Sequence, residues 1–226
     1  KYLYTLKSLP ITFTEIGYIS DVKDQKGPFY HLDNNLIKIA KSKLRKDQKI
    51  LAMINFKEIK NSKHLENLIT KYAKNLDGIR FAVGPEKVKN FISIISSIKK
   101  SKIGNLKIYL NLMYLSDWHE DTSLIKRILN DIPSLVSAVS FVDSHGALEP
   151  SQVNNFFTKI DNMPKKSFLY GCHFHNNCGL ALANAIIAKK NKCSIIDTTF
   201  KGMGRGAGNA ETELMLACDV EKRKKI

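Results

Sequence analysis

Residues 193–209 read CSIIDTTFKGMGRGAGN: a short run rich in β-branched residues, then a turn, then four glycines within seven positions. Glycine lets a backbone come close to a ligand and adopt positive φ, so a glycine-rich loop after a strand suits the approach of an anion to backbone amides. Its place along the chain separates two folds. A doubly wound sheet carries such a loop after its first strand, whereas here it follows the last one, as in barrels that bind anions after strands 7 and 8. As a dinucleotide fingerprint the stretch fails, because it closes the last strand–helix unit and no acidic partner strand follows it.

Six similar apolar runs precede this one, at 12–17, 50–55, 78–83, 107–113, 138–143 and 168–173, so that with 193–198 there are seven. Stretches of helical period lie between them, at 36–43, 63–74, 86–99, 121–129, 150–160 and 179–190. Pro85 and Pro150 stand before or at a first helical turn, where proline is tolerated. Parallel neighbours need long crossovers, so this alternation predicts a parallel sheet with helical connections. The expected fold is α/β, a TIM (β/α)8 barrel lacking its first strand, over a single domain 1–226 that opens on a helix end at 1–9. The missing first strand is expected upstream of Lys1.

With 226 residues, 43% of them hydrophobic, the chain can bury a sizeable core. No apolar run reaches the roughly 18 residues of a transmembrane helix, and no signal-peptide pattern is present, so a membrane role is not expected. Cys172, Cys178, Cys193 and Cys218 have irregular spacings that suit free thiols in a reducing compartment, and the cytoplasm is the expected location. The formal charge is +15. It is carried mostly by lysines scattered over helix faces, such as Lys38, Lys41, Lys89 and Lys190, without an arginine stripe or interleaved aromatics. That distribution describes a solvated surface and no nucleic-acid partner.

Gly171-Cys172-His173-Phe174-His175-Asn176-Asn177 carries the sharpest chemical signal. Strand side chains alternate, so His173 and His175 share one face and Cys172 and Phe174 the other. Two imidazoles about 6 to 7 Å apart along a strand can converge on one ion. A structural zinc site using Cys172 and Cys178 is disfavoured, because Cys172 points the other way.

This HxHNN stretch, followed by Gly179-Leu180-Ala181-Leu182-Ala183-Asn184 and by Gly202-Met203-Gly204-Arg205-Gly206-Ala207-Gly208-Asn209, resembles the DRE-TIM metallolyase family. That family includes HMG-CoA lyase, isopropylmalate and citramalate synthases, pyruvate carboxyltransferase domains and 4-hydroxy-2-oxovalerate aldolase. The glycine-rich loop and Glu15-Ile16-Gly17 are most similar to the aldolase branch. The resemblance spans the whole chain and is strongest over 138–213. It implies a divalent metal held by His173, His175 and Asn209 together with an aspartate on the first strand. That aspartate, and the arginine beside it that stabilises the enolate oxygen, have no counterpart here, so the chain is expected to lack half of the catalytic constellation. Mixed ligation by imidazole, oxygen and water suits Mn²⁺ or Mg²⁺, with Zn²⁺ and Co²⁺ as alternatives.

Other candidates surround this core. Asp143 ends the fifth run and either orients a ligand histidine or accepts backbone amides of the next turn. His145 is a candidate acid/base titrating near neutral pH. Glu15 matches a family carboxylate near the active site, or else forms an ion pair inside the barrel. Arg80 and Asn111 either bind a substrate carboxylate or belong to an interior polar layer. Arg205 is a candidate anion contact in the glycine loop. Lys201 raises the rival of a Schiff-base aldolase, disfavoured by the two histidines.

The function these residues imply is a metal-dependent lyase that cleaves or forms a C–C bond next to a 2-oxo acid, releasing pyruvate and an aldehyde. Its expected partner is a small 2-oxo acid, and the resemblance adds a homodimer. A condensing transferase joining an acyl-CoA to a 2-oxo acid, and a non-catalytic barrel module, are the alternatives.

Overall fold

The computed structural model describes residues 2–22, 27–164 and 167–218. Lys1, the head of the expected helix at 1–9, lies outside them. Seven strands occur among the described residues, and they neighbour one another in chain order. Every expected run becomes a strand, with ends displaced by at most two residues, as expected where strand ends are set by hydrogen bonding that composition does not record.

The chain forms two compact units. The first, residues 1–83 and 89–110, contains α1 (Tyr2–Ser8), β1 (Phe13–Tyr18), α2 (Asn34–Ser42), β2 (Lys49–Asn55), α3 (Ser62–Tyr72), β3 (Gly78–Val83), nearly all of α4 (Val88–Ser97), α5 (Lys100–Ile103) and the start of β4 (Lys107–Leu112). β1 pairs in parallel with β2, and β2 with β3. Side chains start two of the helices at defined points: Asp33 accepts the amide of Leu36 at 2.7 Å, and Asn61 that of His64 at 2.9 Å. Phe56, Phe81 and Phe91 pack ring against ring in the core of this unit, with centroids 5.5 to 6.4 Å apart.

The second unit, residues 84–88 and 111–226, holds the end of β4, then α6 (Leu115–Trp118), α7 (Thr122–Asp131), β5 (Val136–Asp143), α8 (Pro150–Asp161), β6 (Leu169–Phe174), α9 (Ala181–Lys190), β7 (Ile195–Asp197) and α10 (Thr212–Cys218). β5, β6 and β7 are parallel, with Val142 opposite His173 and His173 opposite Asp197. β7 spans only three residues where the sequence pattern suggests six, because Cys193 and Ser194, just after a turn, and Thr198 lie outside the ladder. Pro150 opens α8 where its missing N–H costs nothing, and Gln152 accepts the amide of Glu149 at 2.8 Å.

Phe141 is the centre of this core. Its ring lies 4.8 Å from Phe156, 6.0 Å from Phe157 and 6.0 Å from Tyr170, and it is fully buried. Replacing it by Ala removes a ring that four aromatic neighbours, Trp118 included, enclose. Phe141→Ala is expected to lower unfolding free energy by about 3–5 kcal/mol, read from urea unfolding midpoints at unchanged slope.

Candidate active site

A segment that returns from the glycine-rich loop ties the carboxyl ends of β6 and β7 together. The amide of Ala210 donates to the carbonyl of Phe174 at 3.2 Å, and the amide of Thr199 donates to the carbonyl of Ala210 at 3.0 Å. Antiparallel bridging of His175 with Asn209 and parallel bridging of Thr199 with Glu211 extend the contact on both sides. β6 itself ends at Phe174, so this bridge, rather than the strand, fixes His175. The loop closes through the amide of Asn209, which donates to the carbonyl of Gly202 at 2.9 Å. Gly208 has φ +89°, and a Cβ there would stand 2.0 Å from the Gly202 carbonyl oxygen, so no other residue fits.

His173 and His175 do share a face, with ring centroids 5.1 Å apart and planes 58° to each other. Cys172 points the opposite way and is fully buried, where burial and then its neighbour Cys193 push the thiol well up. It stays protonated and offers no thiolate to a metal. The amide nitrogen of Asn209 donates to the carbonyl of Met203 at 3.0 Å, which leaves Oδ1 buried without a hydrogen-bond partner. A buried amide oxygen without a donor beside two imidazoles suits a cation, and these three side chains fit a divalent metal. Among the described residues no group of three or more His, Cys, Asp or Glu converges on one point, so the fit rests on the histidine pair and the amide.

Asp143 is fully buried at the end of β5. Its Oδ2 accepts the amide of Leu148 at 2.9 Å, the turn-capping arrangement. Its backbone carbonyl accepts the amide of His175 at 3.3 Å, so the residue also sets the position of that histidine through the main chain. Gly146 follows in a left-handed conformation, and a Cβ there would meet the His175 carbonyl oxygen at 2.6 Å. The β5 loop can pass that close only with glycine.

His145 lies on the loop after β5, next to Gly146. Its side chain is 53% exposed, its Nε2 lies 3.5 Å from Asp117 Oδ1, and its ring lies 5.7 Å from that of Tyr114. Tyr114 holds a left-handed backbone, φ 61°, while its amide donates to Ser144 Oγ at 3.0 Å. Arg205 is exposed in the glycine loop, and its charge bears on His175. Asn111 is buried at the end of β4 with its Oδ1 unpartnered. In the first unit Glu15 and Arg80 form a pair of their own, Oε2 to Nε 3.0 Å, with Arg80 buried. That is the ion pair the sequence left open as one alternative for Glu15.

Sequence reasoning missed one neighbour of the histidines. Asp197, at the end of β7, places Oδ2 3.4 Å from His173 Nδ1. Alternation within the 193–198 run marks it as an inward candidate, but only the pairing register sets it opposite His173. Asp117 and Tyr114, which face His145, likewise lie in a loop and a single helical turn that carry no periodic signal.

A parallel strand–helix succession with a glycine loop after the last strand is the fold class of a TIM barrel lacking its first strand. Comparison with known proteins agrees. The chain matches 29% of its residues to the N-terminal domain of a candidate aldolase from Bacteroides vulgatus, covering 100% of this chain and 72% of that one with a TM-score of 0.87. HMG-CoA lyase from Bacillus subtilis shares the fold at 17% identity and a TM-score of 0.70, over 96% of this chain and 76% of that one. A 4-hydroxy-2-oxovalerate aldolase of Salinispora arenicola is 42% identical over 81 residues, 35% of this chain but 22% of the aldolase. Its counterpart in Pelotomaculum thermopropionicum is 38% identical over 82 residues, 35% of this chain and 23% of that protein. Residues 86–224 match the HMGL-like family, and the chain belongs to it. The sequence resemblance to the DRE-TIM metallolyases is thereby established, and with it a family of lyases and aldolases that generally uses a divalent metal.

Burial, then the neighbouring His173 and Arg205, push the His175 imidazole below its ordinary 6.5, against an opposing pull from Asp143. The unfolded chain takes up this proton at the ordinary value while the folded chain resists it. The stability tied to His175 is therefore present above 6.5 and lost as pH falls through the lowered value. An NMR titration of the metal-free chain should give a His175 midpoint below 6.5, moving upward in Arg205→Gln; a midpoint at or above 6.5 contradicts the burial account.

Proposed function

We propose that the protein is a divalent-metal-dependent aldolase that cleaves, or in reverse forms, the bond between C3 and C4 of a 4-hydroxy-2-oxo acid. The observation that carries this reading is the pair of imidazoles on one face beside the buried, unpartnered Oδ1 of Asn209. The aldolase names of the curated relatives support the same substrate class, although the matched stretch spans less than a quarter of each of them.

In the cleavage direction the 4-hydroxyl gives up its proton, its oxygen becomes the carbonyl of the departing aldehyde, and the C3–C4 electron pair passes into the 2-oxo group. The pyruvate enolate that remains takes a proton at C3. A divalent cation supplies, when bound, Lewis-acid stabilisation of the charge that collects on the 2-oxo oxygen, with Mn²⁺ or Mg²⁺ the proposed ions. His173 and His175 hold it through imidazole nitrogens and Asn209 through its amide oxygen. The lowered affinity of His175 for protons keeps that lone pair available at neutral pH. Arg205, exposed on a loop whose glycines bring backbone amides close to the surface, meets the substrate carboxylate. His145, with Asp117 against its Nε2, is the acid/base for the hydroxyl proton.

The test is Mn²⁺ binding and pyruvate release from 4-hydroxy-2-oxo acids, measured on the full protein. His173→Ala and His175→Ala are each expected to weaken Mn²⁺ by more than the roughly 10–100-fold that losing an outer partner costs, and Asn209→Ala by about that amount. His145→Ala should lower kcat while leaving Mn²⁺ affinity unchanged. Undiminished Mn²⁺ binding in both histidine variants, or absence of pyruvate with every 4-hydroxy-2-oxo acid tried, sinks the proposal.

A further inference from the structure

The proposed metal pair leaves one question of geometry open at His173, because an imidazole has two nitrogens and only the unprotonated one can donate a lone pair. The parallel register answers it. His173 of β6 and Asp197 of β7 are direct partners, and in a parallel sheet direct partners project to the same face. Asp197 Oδ2 accordingly lies 3.4 Å from Nδ1, not Nε2, of His173. Both side chains are largely buried, at 22% and 12% exposure, so water competes weakly for either.

β7 holds the carboxylate firmly. Thr199, two residues on, is clamped by its amide to the Ala210 carbonyl, and Thr212 Oγ1 donates to Thr198 Oγ1 at 2.9 Å. The same returning segment joins His175 to Asn209, so the carboxylate and both imidazoles are set by one network of main-chain bonds.

We propose that Asp197 is a positioning residue: it accepts a hydrogen bond from His173 Nδ1–H, fixes that tautomer, and so presents Nε2 as the donor atom toward the cation. This rests on the metal-dependent reading above, and it assigns Asp197 a place one bond removed from the ion. A carboxylate behind a ligand histidine both orients the ring and raises its basicity. It also supplies negative charge close to the two imidazoles.

Long-range ¹H–¹⁵N NMR of the metal-free full chain reads the tautomer of His173 without any metal present. The expected result is a proton on Nδ1 in the wild type, a shift toward the Nε2–H form in Asp197→Ala, and retention of Nδ1–H in Asp197→Asn, whose amide oxygen can still accept. Mn²⁺ affinity should then fall about 10–100-fold in Asp197→Ala and be partly restored in Asp197→Asn. An Nε2–H tautomer in the wild type, or an unchanged one in Asp197→Ala, overturns the proposal. Equal loss of Mn²⁺ in both variants with Nδ1–H kept throughout also overturns it, since Asp197 would then be a direct ligand. Should the wild type show the Asp197-dependent tautomer yet bind no Mn²⁺, the orientation stands and the metal-dependent reading alone falls. If Asp197→Ala does not fold, as judged by circular dichroism, Asp197→Glu takes its place, and loss of the Nδ1–H signal there supports the distance-dependent contact while its full retention, with Asp197→Asn turned to Nε2–H, counts against it.

Discussion

The candidate site depends on two main-chain hydrogen bonds, those by which Ala210 links the Phe174 carbonyl to the Thr199 amide. A residue entering between the ends of two parallel strands satisfies groups that would otherwise be left open where the sheet stops. It also sets register for everything that follows. Asn209 precedes this residue and bridges His175; Glu211 follows it and bridges Thr199. A slip of one position would turn Asn209 away from the histidine and bring Ala210 into its place. The four glycines of the loop are the chain's means of turning back sharply enough to make the insertion, and Gly208 is the position where the turn passes against its own backbone.

This dependence explains what was legible in the sequence. Strand positions were visible because β-branched runs alternate with helical period at spacings that only a parallel sheet with crossovers accommodates. Each run was found, and the proline signals at Pro85 and Pro150 mark real helix starts. The shared face of His173 and His175 followed from alternation alone, and it survived even though β6 ends between them, because the Asn209 bridge prolongs the extended backbone. Cys172 could be set aside on the same ground, and its complete burial agrees.

What could not be read is whatever depends on which residues of different segments meet. Asp197 carries no local mark that separates it from an ordinary polar residue at a strand end. Its significance arises from standing opposite His173, a fact of register between β6 and β7. Glu15 and Arg80 were each candidates for the substrate site, yet the pair they form is a relation between β1 and β3 that no single run announces. The short turn Leu115–Trp118 was missed for another reason: four residues are too few for a period to show, and its left-handed Tyr114 is not a residue composition would nominate for that backbone.

The character of the donors gives the carboxylates their importance. Two imidazoles and an amide oxygen are uncharged, and an uncharged set attracts a hard divalent cation weakly compared with one that includes carboxylates. The described residues hold no third His, Cys, Asp or Glu converging with the histidines. Among the described residues, negative charge reaches the two imidazoles from Asp143 and Asp197. Asp143 does so through space and through the carbonyl that receives the His175 amide. Asp197 stands nearer, against the ring of His173 itself. In the proposed lyase these carboxylates would stand behind the imidazoles, and the cation would be met directly by the carboxylate and carbonyl oxygens of the 2-oxo acid.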